Sequence, residues 1–153
     1  MKINKLIGIF IAVILVIIVA VVFFLSARGG GAQATIGDQK VNLMVVDTSE
    51  SRAIGLSETK SLSDDQGMLF VFDEKSYPSF WMKGMDFPID IIFLNDKKIV
   101  TIHENVQPPQ KGQEDNALPL YQATGPSNQV LEVRAGFAKK YNVKVGDTID
   151  LSL

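Results

Sequence analysis

GMLFVF, residues 67–72, is an unbroken apolar run too short for an ordinary helix and rich in side chains that suit a pleated surface. It predicts a strand covered on both faces. Residues 88–94, PIDIIFL, predict another strand that ends at the turn Asn95-Asp96-Lys97, and residues 99–106 pair back on it as a hairpin. Upstream, residues 41–46 (VNLMVV) predict a strand paired with Thr35-Ile36 across the turn signal Gly37-Asp38. Residues 47–50 (DTSE) carry the oxygen-bearing side chains of a helix start, with Glu50 three positions after Asp47, and the helix is expected to run to about Glu58. Residues 61–66 then form a loop, and residues 79–82 a short aromatic strand. Downstream, residues 107–118 hold Pro108-Pro109 and predict a loop. Residues 129–134 (QVLEVR) alternate as a strand, and residues 135–141 predict a short helix with Phe137 and Tyr141 on one face. A turn at residues 145–148 leads to a last strand at residues 149–153. The fold class is therefore α+β: a mostly antiparallel, strongly bent sheet or partly closed small barrel with two short helices.

Residues 6–25 (LIGIFIAVILVIIVAVVFFL) carry no charge and no proline. Twenty helical residues at about 1.5 Å each match a hydrocarbon core of about 30 Å, so the run predicts one transmembrane helix. Lys2 and Lys5 precede it and Arg28 alone follows closely. Basic residues collect on the cytoplasmic side, so residues 1–5 are expected inside and residues 35–153 outside the cytoplasm, as a single-pass protein of the cytoplasmic membrane. Residues 26–34 read as a flexible tether. The alternative is secretion after cleavage near Ala34, because Ala32-Gln33-Ala34 fits a small-residue cleavage pattern.

Residues 35–153 suit one domain with one core. All 17 acidic residues lie there with 12 of the 15 basic ones, a formal balance near −5 (12 − 17). Such a balance argues against nucleic acid as a partner. The chain has no cysteine, which excludes disulfides, thiolate nucleophiles and Cys-ligated metals, and its single histidine excludes a multi-His metal site within one chain. No cofactor and no metal is expected. The expected partners are the lipid bilayer, through residues 6–25, and an envelope ligand or protein.

The stretch Phe80-Trp81-Met82-Lys83 contains the only tryptophan, whose broad apolar face and single donor suit a ligand groove or an interface anchor. Packing into the core is the competing reading of the same residues. Asp90 sits between Ile89 and Ile91, and Glu132 lies inside the strand at residues 129–134. A carboxylate embedded among apolar neighbours costs several kcal/mol unless it is paired or well hydrogen-bonded. Asp90 therefore reads either as an acceptor of backbone amides or as an anion facing a site, and Arg52 on the first helix is a partner for Asp90 or for Glu132. His103 reads as a solvated strand residue rather than a base.

Taken in order, Glu50-x-Arg52-x-x-Gly55-Leu56, Gly67-Met68-Leu69-Phe70, Phe80-Trp81-Met82-Lys83, residues 88–94, Val130-Leu131-Glu132-Val133-x-Ala135-Gly136 and Gly146-Asp147 resemble the domain of unknown function 192 family. The resemblance covers residues 35–153 and implies a small, mostly β domain, often behind a signal or anchor. It supplies no activity and no catalytic residue. One departure stands out: where the family often reads Asn-Thr after Phe-Trp-Met-Lys, this chain has Gly84-Met85, which removes two hydrogen-bonding side chains.

Two function classes fit, and a folding or assembly accessory for envelope proteins is a third reading that only partner data separate from the first. The first is a non-enzymatic binding or interaction module whose surface centres on Trp81, Met82 and Phe80, rimmed by Arg52, Lys83 and Asp90. The second is an envelope-acting hydrolase or lyase that divides acid and base roles between Asp90 and Glu132.

Overall fold

The computed structural model describes residues 31–153. The expected cytoplasmic segment (1–5), membrane span (6–25) and first part of the tether (26–30) lie outside the described residues. Among the described residues no helix is long and apolar enough to cross a membrane.

Among the described residues nine strands, β1 (Gln33–Ile36), β2 (Gln39–Val46), β3 (Gln66–Ser76), β4 (Ser79–Phe80), β5 (Ile89–Asn95), β6 (Lys98–Val106), β7 (Tyr121–Gln122), β8 (Ser127–Arg134) and β9 (Asp150–Ser152), carry two short α-helices, α1 (Ser49–Ile54) and α2 (Phe137–Lys140). Seven strands form one sheet in the order β6-β5-β8-β3-β2-β1-β9, and β4 pairs with β7 in a separate two-stranded ribbon. Every neighbouring pair is antiparallel except β2 and β3, which run parallel in register from Asn42–Gln66 to Val46–Phe70. Parallel neighbours need a crossover rather than a hairpin, and α1 supplies it. The sheet curls strongly. Its outer strands are β6 and β9, and just before β9 the chain reaches β6: Ile99 donates to the Asp147 carbonyl (2.9 Å), Gly146 to that of Ile99 (2.9 Å) and Ile149 to that of Lys97 (2.8 Å).

Alternation along each strand builds a core on both faces. Inside the curl lie Ala34, Val41, Leu69, Ile92, Leu94, Leu131, Val133 and Ile149, closed over by Phe137 and Ala138 of α2. On the outer face lie Met68, Phe70, Ile91, Phe93 and Val130, covered by Leu56, Leu62, Met82 and Met85 from the connections. Two covered faces explain why residues 67–72 of β3 read as an unbroken apolar run and why β5 is broken before Asn95 only by Asp90. Each fully buried Ile or Leu contributes about 1.5–3 kcal/mol. The inner face is tight: a Cβ at residue 67 would meet the Glu132 carbonyl oxygen at 2.9 Å, so Gly67 lets β3 and β8 approach.

Several elements depart from expectation. The helix start is capped by Thr48, whose hydroxyl accepts from the Ser51 amide, while Ser51 and not Glu50 reaches back to the Thr48 amide. Helix α1 ends at Ile54, not near Glu58, because Gly55 takes φ 51°, a left-handed value that breaks the helix and turns its backbone against Phe70. The strand expected at residues 79–82 is only Ser79–Phe80, and its partner β7 is two residues long, too short to show a pattern. Gln33 and Ala34, expected in the tether, belong to β1. Ala34 is fully buried and pairs with Val41 and Leu151.

Candidate functional site

Asp90 and Glu132 lie on adjacent strands, and register places Asp90 opposite Val133 and Ile91 opposite Glu132. One step along a strand reverses the face. Asp90 therefore shares the inner face with Val133, and Glu132 the outer face with Ile91 and Met68. The acid–base pair of the alternative hydrolase or lyase reading does not form, because the sheet stands between the two carboxyls.

Asp90 is fully buried and fully occupied. Its Oδ1 accepts from the amides of Asn105 (2.7 Å) and Gly136 (3.0 Å), and its Oδ2 from that of Ala138 (2.8 Å). Gly136 and Ala138 are the cap and second position of α2, which has no capping side chain of its own. A carboxylate from β5 thus satisfies orphan amides of a helix distant in sequence and ties it to the end of β6. Asp90 is bonded to backbone, not to Arg52.

Glu132 differs on every count except burial. It is 5% exposed, and among the described residues no group donates to its carboxyl. Desolvation alone pushes its pKa from 4.5 up to about 8. At neutral pH the group keeps its proton and is both a hydrogen-bond donor and an acceptor. It lines a cleft of about 590 Å³ on the outer face of the sheet, within the usual range for small-molecule sites.

Three stretches build that cleft around β8. Helix α1 and its exit supply Arg52, Ala53, Ile54, Gly55 and Ser57; β3 supplies Phe70 and Phe72; β4 and the turn after it supply Ser79, Phe80, Trp81, Lys83 and Met85. Phe80 meets three rings edge-on, Phe70 at 4.9 Å, Phe93 at 5.7 Å and Phe72 at 6.5 Å between centroids, which holds one aromatic wall. Trp81 is 49% exposed at the mouth, with the Lys83 ammonium 5.3 Å above its ring. Lys83 also pairs with Asp115 (2.6 Å). The Arg52 Nη1 donates to the carbonyls of Asp47 (2.5 Å) and Val71 (2.9 Å), and its guanidinium lies 4.9 Å over Phe72. Arg52 forms no ion pair among the described residues; the carbonyls of Asp47, just after β2, and of Val71, within β3, take its donors instead.

The cleft thus gathers Arg52, Trp81, Lys83 and Glu132 and omits two of the sequence candidates. Met82 packs in the outer-face core, because side chains alternate here: Phe80 and Met82 point inward and Trp81 between them outward, before the turn at Lys83-Gly84. Asp90 faces the other side of the sheet. Sequence reasoning missed Phe72 and Met85 as lining residues. Phe72 had a signal, for it shares a strand face with Phe70 and Met68. Met85 stands at the position where the chain departs from the Asn-Thr pattern, so that departure falls on the cleft wall. His103 is not a free strand residue: its ring sits between Phe93 (5.7 Å) and Tyr121 (5.5 Å), with Nε2 3.0 Å from the Gln122 carbonyl oxygen. Among the described residues no three His, Asp or Glu side chains gather closely enough to hold a metal ion.

Residues 32–151 match one family model, described as an uncharacterized ACR. Two crystal structures are similar over 78% of this chain, each with a TM-score of 0.68. One is a protein of unknown function from Novosphingobium aromaticivorans, 28% identical, of which 82% is covered. The other is a candidate transcription regulator from Sinorhizobium meliloti, 27% identical, of which 91% is covered. No curated protein matches the chain.

Proposed function

Since the chain belongs to that family, domain of unknown function 192, which carries no assigned activity, we propose a reading from the site itself: a membrane-anchored binding module held outside the cytoplasm, whose ligand enters the cleft between α1 and the turn after β4. The observation that carries it is Glu132. A buried carboxyl with no internal partner costs stability, and such a group in an aromatic-walled cleft suits a ligand better than a fold. A binding module fits better than the hydrolase reading, because the carboxyl that would complete an acid–base pair is on the far side of the sheet and already holds three amides. Retention of the span at residues 6–25 is favoured over cleavage near Ala34, since that cut would sever β1 at a fully buried residue.

The test is a thermal-shift panel of amines, carboxylates, sugars and nucleosides on the full-length chain in neutral detergent, beside Ala53→Phe, which fills the cleft mouth from an exposed helix position. At least one class should raise the melting temperature of the parent and not of the variant. A panel without hits, or hits that survive the blocked cleft, would overturn the reading. For topology, a protease added to spheroplasts should digest the globular domain and spare the amino terminus; a protected domain would refute the anchored arrangement.

A further inference from the structure

We infer that the cleft takes a compact organic cation, an ammonium group on an apolar or aromatic body, with Glu132 as its counter-ion at the floor and Phe70, Phe80 and Trp81 as its walls. This rests on the cleft being the binding site proposed above. The argument is complementarity. Glu132 is only 5% exposed, its carboxyl oxygens reach the cleft rather than being sealed from it, and among the described residues no group donates to them. An ammonium group brings opposite charge and three donors to that point. Aromatic faces carry negative potential and attract a cation while rejecting a carboxylate.

Of the other charged lining groups, Lys83 is paired with Asp115, while Arg52 keeps a positive charge that carbonyls do not cancel and that the Glu132 carboxylate must outweigh for a cation to enter. Arg52 comes from α1, where carbonyls and the Phe72 ring hold it; Lys83 comes from the turn after β4, where Asp115 and the Trp81 ring hold it. Neither pairs with Glu132. Binding has a proton balance. Below about pH 8 the free carboxyl holds a proton, which must leave to the buffer when the ammonium ion pairs with the carboxylate. Affinity should therefore rise about tenfold between about pH 6 and about pH 7, and level off above about pH 8.

The experiment compares three probes with one phenyl body: benzylamine, benzyl alcohol and benzoate. Each is titrated calorimetrically into the full-length chain in neutral detergent, into Glu132→Gln and into Ala53→Phe. Benzylamine should bind at least about tenfold more tightly than the other two, with proton release at pH 7, and should fall to the level of the alcohol in Glu132→Gln. Alcohol or benzoate binding as tight as the amine, or amine affinity independent of pH in the parent chain, would overturn the cation assignment while leaving the cleft as the site. The pH profile needs no variant, so it decides even if Glu132→Gln folds poorly. Three probes that all fail, or bind equally to Ala53→Phe, would overturn the cation assignment and count against the cleft itself.

Discussion

Asp90 and Glu132 are two acids buried to nearly the same degree, one strand apart, on opposite faces of the same sheet. The inner-face acid holds three amides and fixes α2 and the end of β6 to β5. The outer-face acid holds nothing inside the domain and opens onto a cleft. Burial of charge therefore does not by itself separate structure from function. The partner list does: a fully bonded carboxylate stabilises a fold, and an unbonded one weighs against it.

The largest expected effect breaks the comparison on the inner side. Asp90→Asn replaces one accepting oxygen by a donor facing an amide, so it should destabilise the chain by about 2–4 kcal/mol. Urea midpoints measure this, and a variant as stable as its parent would remove Asp90 from the structural side.

Glu132→Gln should act in the opposite sense. The folded carboxyl holds its proton up to about pH 8 against an ordinary 4.5, so the folded state binds more protons in that window. Its contribution to stability is complete below about pH 4.5, falls as pH rises toward about 8 and is constant above. Relative to the parent, Glu132→Gln should be more stable above about pH 8 by roughly 1–3 kcal/mol, with the advantage shrinking as pH falls. Midpoints at acid and alkaline pH give the difference. A variant less stable than the parent at high pH would mean that Glu132 has a structural partner, and the contrast with Asp90 would collapse.

The smallest effect sharpens the outer side. Trp81 is half exposed at the cleft mouth, so Trp81→Ala should change stability by no more than about 0.5–1 kcal/mol while weakening cleft ligands. A larger loss in the urea midpoint would assign the ring to packing instead.

Much of the fold was legible in residues 67–72 and 88–94, because a strand covered on both faces is apolar at nearly every position. The embedded acids were legible too, as interruptions of apolar pattern. Their roles were not. Parity along β5 and β8 could be counted, but the register between them follows from pairing at long range, and a shift of one residue would have put both acids on one face. Half of the β4–β7 ribbon was legible, since a strand was expected over residues 79–82; β7 and its pairing were not, because two residues leave no period to read.

The sequence by itself determined the β-rich class, the family and the residue types available for chemistry, since these depend on composition, order and short-range pattern. Only the tertiary structure decided that Arg52 binds carbonyls rather than an acid, that Met82 is core and Trp81 rim, and that Asp90 caps a helix 46 to 48 positions later in the chain. Those outcomes are set by which groups the curled sheet brings within about 3 Å of one another, and hydrogen bonds act only at that range.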